Sequence, residues 1–284
     1  MSVTASDIPT SPLSSDELYL VDSHCHLDRL REGGLSECEM DDIITAARYN
    51  GVKRMLTLPT ALDDMPSVHA LAQRYPEVVY ALGVHPLTVQ DKEPSIEELR
   101  AMVERYEPVA IGEIGLDYCA DEHGNFRVSP ALQRERFVRH LTVATESRLP
   151  VCIHTREAQD DTLSLLKAHT DPSVGGVLHC FTGSLDMARE AVRMGFMISM
   201  SGIVTFHSAS NVRELAKAIP LDCLLIETDS PYLAPVPFRG KMNQPAYVPE
   251  VAKKIAEVRG ISVDEVMMQT TANFHRLFNR VSAA

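Results

Sequence analysis

Eight short runs rich in β-branched and other apolar residues recur along this chain of 284 residues, and they constrain its fold more than any other feature. Longer stretches of helical period separate the runs, which is the pattern of βα units built around a parallel sheet. Eight such units are the number that closes a TIM (β/α)8 barrel, an α/β fold. The predicted strands are Leu18–Ser23, Val52–Leu58, Val78–Val84, Val109–Ile114, Pro150–His154, Gly176–Cys180, Phe196–Met200 and Leu224–Thr228.

The stretches between the runs carry helix signals of their own. In Pro130–Arg148 the apolar residues recur on one helical face, and the proline stands where a first turn accepts it. After the last strand, Gly260 ends one predicted helix and Ser262 opens another as part of a capping box. No linker rich in proline, glycine or serine divides the chain. We therefore predict a flexible N-terminal tail over residues 1–17 and a single barrel domain over residues 18–280.

The overall composition limits the classes of function. A formal charge of −12 argues against a broad basic surface for non-specific DNA binding. It does not exclude a nuclease, because bound cations and local basic residues supply the positive field that a phosphodiester needs. Six cysteines without Cys-x-x-Cys spacing are typical of a reducing compartment. With no secretion signal and no membrane-spanning run, the sequence predicts a cytoplasmic protein without membrane association and indicates no obligate protein partner.

Side chains of the types that bind metal ions recur where the predicted strands end. His24 and His26 follow the first strand, and alternation along a strand turns both rings to one face. The active sites of such barrels lie at the carboxyl ends of the strands. The same edge would also hold Glu113, His154, His179 and Asp229. Because so many unpaired polar groups would be costly without a bound cation, the sequence predicts a metal centre built from these six residues.

The chain resembles the TatD-type metal-dependent deoxyribonucleases, which belong to the amidohydrolase-like barrels. Five motifs carry the resemblance in the same order as in the family: His24-Cys25-His26, Gly112–Tyr118, His154 with Arg156, His179–Gly183 and Glu227–Tyr232. The similarity extends over about residues 19 to 279. It implies that a metal-activated water hydrolyses phosphodiester bonds, with the chain acting as an exonuclease on single-stranded or damaged DNA.

The resemblance also implies two divalent metal ions as cofactors. One would be held by His24, His26, Glu113 and Asp229, and the other by Glu113, His154 and His179. A carboxylate has two oxygens and bridges cations that lie about 3.5–4 Å apart. The nitrogen-rich set suits Zn, Mn, Fe or Ni, whereas the family is associated with Mg²⁺ or Mn²⁺. The sequence leaves the identity of the metal open.

Further residues around the predicted mouth receive individual roles. Asp229 is a candidate general base as well as a ligand, Glu113 is the bridging catalytic carboxylate, and Glu227 would orient a ligand from behind. The predicted contacts to the substrate are His85, Arg156, His207, Tyr232, Arg239 and Lys241. Each of these contacts competes with an ordinary structural or solvent-exposed role.

Two positions depart from the family's pattern. Gln244 stands where the family commonly has a glutamate, and His207 lies in the segment where the family usually has a lysine. The residues therefore indicate the substrate less firmly than they indicate the metals.

The same barrel would also suit a small-molecule hydrolase acting on a lactone, amide or phosphotriester, or an aminoacyl-tRNA deacylase. A closed apolar pocket would favour a small-molecule enzyme, and an open, locally basic groove would favour a nuclease. The complete ligand set argues against a binding module without catalysis.

Overall fold

The eight predicted strands form one parallel sheet. The computed structural model describes residues 18–32 and 37–282, so the tail predicted over residues 1–17 lies outside the described part. The strands are β1 (Leu20–Cys25), β2 (Val52–Thr57), β3 (Val78–Leu82), β4 (Ala110–Asp117), β5 (Val151–Arg156), β6 (Gly176–Leu178), β7 (Phe196–Met200) and β8 (Leu224–Ile226). Their order in the sheet follows the chain from β1 to β8. The chain is therefore a single-domain TIM (β/α)8 barrel, as the alternation of strand and helix signals predicts.

Helices connect the strands and follow the last one. They are α1 (Leu27–Glu32), α2 (Glu37–Tyr49), α3 (Met65–Arg74), α4 (Ile96–Tyr106), α5 (Pro130–Ser147), α6 (Gln159–His169), α7 (Leu185–Arg193), α8 (Ser210–Ala218), α9 (Val248–Arg259) and α10 (Val263–Leu277). The predicted helix ends are confirmed: Gly260 ends α9 at a φ of 68°, and the side chain of Ser262 caps α10 by accepting the backbone N–H of Glu265. The second bond of the predicted capping box, from the Ser262 backbone N–H to the Glu265 side chain, is not among the hydrogen bonds of the described residues. Among the described residues, no helix combines the length and the apolar character needed to cross a membrane.

Three strands (β1, β4 and β5) end later than predicted, and four (β2, β3, β6 and β8) end earlier. β4 and β5 continue to Asp117 and Arg156, because their pairing resumes after a register shift beyond Ile111. β8 ends before Thr228, because the backbone N–H of Thr228 donates to the carboxylate of Asp22 at 2.8 Å instead of to a strand. These differences lie at the carboxyl ends of the strands, where backbone pairing gives way to side-chain contacts.

The two ends of the sheet, β1 and β8, meet at the mouth of the barrel. The backbone N–H of Asp229 donates to the carbonyl of His24 at 2.9 Å, and that of His26 donates to the carbonyl of Ser230 at 2.7 Å. These two hydrogen bonds place Asp229, three residues after the end of β8, beside His24 and His26 at the end of β1.

An apolar cluster fills the barrel below the mouth. It takes one residue from every strand: Val21, Leu56, Ala81, Ala110, Cys152, Val177, Met197 and Leu225. Residues that all strands contribute to one cluster lie inside the barrel, as the alternation of side chains requires. Phe274 and Phe278, from α10 and its end, also belong to the cluster. An apolar layer therefore lies below the polar side chains at the mouth.

Candidate metal centre

All six side chains predicted to bind metal lie together at the carboxyl end of the barrel. Glu113 of β4 is at the middle of the group and is only 2% exposed. Gly115, two residues further on, lets β4 approach β5, since a Cβ at this position would lie 2.0 Å from the carbonyl oxygen of His154. Its φ of +135° is also a conformation that side chains other than glycine rarely adopt. The close approach brings Glu113 and His154 into contact.

One oxygen of Glu113, Oε2, faces the histidines of β1. The Nε2 atoms of His24 and His26 lie 3.5 and 3.4 Å from it and 3.3 Å from each other. Asp229 Oδ1 lies 3.9 Å from Nε2 of His24 and 3.5 Å from Nε2 of His26. With metal–ligand bonds of about 2.0–2.2 Å, the ligand atoms of a tetrahedral site are about 3.3–3.6 Å apart. These four groups therefore surround a space that suits one cation.

The other oxygen of Glu113, Oε1, faces a second group of histidines. It lies 3.1 Å from Nδ1 of His154 and 2.8 Å from Nε2 of His179, and these two nitrogens are 3.4 Å apart. Each oxygen of one buried carboxylate thus has its own set of nitrogen neighbours. This is the arrangement of a carboxylate that bridges two cations.

The hydrogen bonds behind three of the rings test whether the group fits a metal. A histidine binds a metal through a nitrogen without a proton, while its other nitrogen donates to an acceptor. The acceptors are the carbonyl of Leu58 for His26 Nδ1 at 2.8 Å, Asp117 Oδ2 for His154 Nε2 at 2.9 Å, and Glu227 Oε1 for His179 Nδ1 at 3.3 Å. The nitrogens that remain are those facing Glu113, so the donor set fits a divalent cation.

Both carboxylates of the centre are kept in the ionised form. Burial raises the pKa of Glu113, but the surrounding histidines, led by His179, outweigh it and hold the pKa well below its ordinary value. Burial likewise raises the pKa of Asp229, but the hydrogen bond with His26 and the charges of His179, His24 and His26 together outweigh it, so that the pKa is lowered. Glu113 and Asp229 are therefore both ionised at neutral pH.

Two further carboxylates hold the histidines from behind. Glu227, which the sequence places behind a ligand, is fully buried and accepts the backbone N–H of Cys180 at 2.7 Å in addition to its contact with His179. Asp117 lies in the Gly112–Tyr118 motif but was given no role, since the predicted strand ends at Ile114. Counting in steps of two from Glu113 along a longer strand places Asp117 on the same face.

His85 also lies beside the cluster, but its ring nitrogen away from the centre accepts a hydrogen bond, whereas those of His26, His154 and His179 donate one. Its Nε2 lies 3.4 Å from Oε1 of Glu113, and its ring centroid lies 4.7 Å from that of His154. The backbone N–H of Leu87 donates to His85 Nδ1 at 3.1 Å, which occupies the lone pair of that nitrogen. The proton of the neutral ring is therefore on Nε2, facing the centre. His85 presents a hydrogen-bond donor where the other rings present acceptors.

Two of the other predicted substrate contacts lie on the rim. Arg156 ends β5 and lines a cavity of about 820 Å³. Tyr118 and Thr155, the residues that follow Asp117 and His154, also line this cavity. Tyr232 is 54% exposed, and its ring centroid lies 6.1 Å from that of His26. Arg156 is exposed and shares its cavity with Glu157, Asp160 and Asp161, while the exposed ring of Tyr232 lies near His26.

The remaining predicted substrate contacts lie further out. The guanidinium of Arg239 lies 3.8 Å from the ring centroid of Phe206, and Nζ of Lys241 lies 5.8 Å from that of Phe238. His207 is exposed. Within the described ranges, no hydrogen bond or ion pair joins Arg239, Lys241 or His207 to the metal-binding cluster. The structure does not bring these three into the centre.

Comparison with known proteins agrees with this centre. Residues 21–279 match the family described as TatD related DNase. The chain belongs to the TatD family. It is therefore a metal-dependent hydrolase whose His/Glu cluster is suited to bind metal.

Several relatives of this TatD-family chain align over nearly their whole length. The metal-dependent hydrolase YcfH of Escherichia coli (strain K12) is 44% identical over 262 residues, which are 92% of this chain and 96% of that protein. A Cronobacter sakazakii protein named 3′-5′ ssDNA/RNA exonuclease TatD is 37% identical over 247 residues, 84% of this chain and 92% of that protein. The crystal structure of YjjV, a TatD homologue of Escherichia coli K12, superposes with a TM-score of 0.82 at 32% identity and covers 92% of this chain and 98% of its own.

Proposed function

We propose that this hydrolase is a divalent-metal-dependent deoxyribonuclease, an exonuclease that acts on single-stranded or damaged DNA. The observation that carries the proposal is the pair of donor groups on the two oxygens of Glu113, at the same end of the barrel as the exposed side chains of Arg156 and Tyr232. The name of the Cronobacter relative, an exonuclease on single strands, supports it.

Two metal ions would occupy the two donor groups. In this proposal one is held by His24, His26, Glu113 and Asp229, and the other by Glu113, His154 and His179. When bound, such a pair lowers the pKa of a water molecule and neutralises charge on the phosphoryl oxygens. The donor set accepts Zn²⁺ or Mn²⁺ readily, and Mg²⁺ is the third metal to be tested.

Asp229 would accept the proton of the attacking water, and His85 would stabilise the negative charge that develops on the phosphoryl group. Asp229 points Oδ1 at the histidines of β1, and no hydrogen bond from the described residues reaches its Oδ2. This ionised oxygen is the proposed acceptor of the proton that the attacking water loses. Nε2–H of His85 would donate to a phosphoryl oxygen as charge builds on it.

The rim would bind the strand without reading its sequence. The exposed ring of Tyr232 offers a stacking surface for one base, and the guanidinium of Arg156 offers a contact for a neighbouring phosphate. Arg239, Lys241 and His207 would meet the strand further from the scissile bond. Aromatic residues are only 6% of the chain, so stacking platforms are few and base-specific recognition is not expected.

A cytoplasmic location and action without a protein partner remain predictions.

The proposal is tested by restoring metals to metal-stripped protein. Mg²⁺, Mn²⁺ and Zn²⁺ are added in turn, with single-stranded DNA oligonucleotides labelled at either the 3′ or the 5′ end. We expect stepwise shortening from one end with at least one ion. Glu113→Gln, purified in parallel, is the matched control for a contaminating nuclease, and it should leave the oligonucleotides intact.

Two results would overturn the proposal. Intact oligonucleotides with every ion, in protein that binds metal, would show that DNA is not the substrate. The same preparations would then be assayed on a lactone, a phosphotriester and an aminoacyl-tRNA. Equal cleavage by wild-type protein and Glu113→Gln would show that the nuclease is a contaminant.

A further inference from the structure

A buried ion pair lies beside the centre but contains none of its metal-binding residues. Arg136 of α5 is 2% exposed, and its Nε donates to Oε2 of Glu93 at 2.8 Å. A second hydrogen bond, from Nη2 of Arg136 to Oε1 of Glu93, makes the pair bidentate. Glu93 belongs to the loop between β3 and α4, the same loop that carries His85.

The third nitrogen of this guanidinium contacts the backbone of His85 directly. Nη1 of Arg136 donates to the carbonyl of His85 at 2.8 Å and to that of Pro86 at 3.2 Å. On the other side, the backbone N–H of His85 donates to the carbonyl of Thr60 at 2.9 Å. Together with the bond from Leu87 to its ring, these contacts fix both the backbone and the ring of His85.

The same helix also holds the partner of the neighbouring histidine. Gln133, one turn before Arg136 on α5, accepts the backbone N–H of Asp117 at 2.7 Å and donates to its carbonyl at 2.7 Å. Asp117 in turn binds His154. One rigid helix of 18 residues therefore sets the positions of His85 and His154 relative to each other.

We infer that Arg136 and Glu93 are positioning residues that aim Nε2–H of His85 into the centre. The inference rests on the proposed function, in which this N–H meets the substrate. A buried ion pair is weak evidence for stability in itself, since apolar residues of similar volume often replace one without loss. The carbonyl contacts give this pair a specific use. Lysine has one ammonium nitrogen in place of the three nitrogens of the planar guanidinium. It therefore cannot make the bidentate pair and both carbonyl contacts together.

The test compares Arg136→Lys and Glu93→Gln with Arg100→Lys. Arg100 makes a bidentate pair with Glu146 at 2.8 and 2.7 Å, also with α5, but does not touch the His85 loop. The first readout needs no substrate: ¹⁵N NMR of the histidine side chains, with the His85 signal assigned by its loss in His85→Asn. We expect Arg136→Lys to shift or broaden that signal, and Arg100→Lys to leave it unchanged.

The second readout is kcat on the oligonucleotide at saturating metal. A displacement of about 1 Å at a reacting group costs up to about 100-fold in rate, so we expect Arg136→Lys to lower kcat by about tenfold or more. Metal content and the midpoint of thermal unfolding should stay near the wild-type values for Glu93→Gln, which keeps the shape of the side chain. In a His85→Asn background, Arg136→Lys should cause little further loss, because its effect passes through His85.

Specific results would overturn the inference. An unchanged His85 signal in both Arg136→Lys and Glu93→Gln would show that the pair does not position the ring. An equal fold-loss of kcat with and without His85 would assign the pair a general structural role. If no oligonucleotide is cleaved, the proposed function fails, and the NMR signal alone then decides whether the pair positions His85.

Discussion

The carboxylate of Asp117 accepts a hydrogen bond from Nε2 of His154 at 2.9 Å, and this contact determines which nitrogen of His154 faces Glu113. With its proton on Nε2, the ring presents the lone pair of Nδ1 to Oε1 of Glu113, 3.1 Å away. The tautomer of this histidine therefore depends on a residue outside the group that would touch metal.

Asp117→Asn should weaken the second metal position. The amide nitrogen of asparagine donates to Nε2, which moves the proton to Nδ1 and removes the lone pair that faces the centre. Loss of a carboxylate behind a histidine ligand costs about 10- to 100-fold in metal affinity or activity. Titration calorimetry with Mn²⁺ measures this, and Asp161→Asn is the control, because Asp161 binds Tyr118 and Arg134 on the same rim. Unchanged affinity in Asp117→Asn would contradict the role.

Simple alternation along a strand predicts the positions of His24 and His26 correctly, although the pairing of β1 in the structure is irregular. The sequence places His24 and His26 on one face, and their Nε2 atoms are 3.3 Å apart. The pairing of β1 with β2 nevertheless shifts register between Asp22 and Cys25. The prediction succeeds because strand ends of one parallel barrel all meet at one edge, so small irregularities do not move a residue out of the group.

Contacts that depend on the relative height of strands and helices were not predicted. Asp117 reaches His154 only because β4 and β5 keep pairing beyond a register shift. Arg136 contacts the backbone of His85 because the position of α5 along the barrel axis places this residue beside the loop between β3 and α4. Hydrophobic periodicity specifies which face of α5 is buried but not its height, so no pattern in the sequence reveals the contact between Arg136 and His85.

Glu113→Gln should reduce the number of bound metal ions rather than weaken one site alone. Its two oxygens face different donor groups, and an amide offers one poor oxygen ligand and no negative charge. We expect two equivalents of metal in the wild-type protein and at most one in the variant, measured by elemental analysis after gel filtration. His169→Gln, which changes a histidine at the end of α6, should keep both equivalents. Two tightly bound ions in Glu113→Gln would exclude a bridging role.

Tyr232→Ala should weaken binding of a single strand without affecting the metals. Removing an aromatic stacking surface costs about 1–3 kcal/mol per base, which corresponds to a rise in KM of about fivefold or more. The expected kcat is close to wild type. Tyr49→Ala serves as the matched control, because Tyr49 is 91% exposed and ends α2 just before the amino end of β2, whereas the mouth lies at the carboxyl ends of the strands. Equal KM values for the two variants would place the strand elsewhere on the rim.

His140 on α5 should make the fold sensitive to mild acid. Its ring is fully buried, Nδ1 donates to the carbonyl of Arg136 at 2.8 Å, and no described residue makes a hydrogen bond to Nε2. Burial lowers the pKa of His140 from 6.5 to about 4. The unfolded chain therefore takes up a proton at a higher pH than the folded chain does. The contribution to stability is complete above pH 6.5 and is lost as the pH falls toward 4.

The size of this effect follows from the difference between the two pKa values. Between pH 7 and pH 5, the wild-type protein should lose about 2 kcal/mol of unfolding free energy more than His140→Gln, which has no group to titrate at that position. Urea unfolding at the two pH values measures this difference in the free energy of unfolding. The protein is stripped of metal first, because bound metal would leave as its ligands become protonated and would change the stability for a different reason. His123→Gln, which removes an exposed histidine, should lose as much stability over this range as the wild-type protein does. Parallel losses in wild type and His140→Gln would mean that the buried ring takes up its proton without unfolding the barrel.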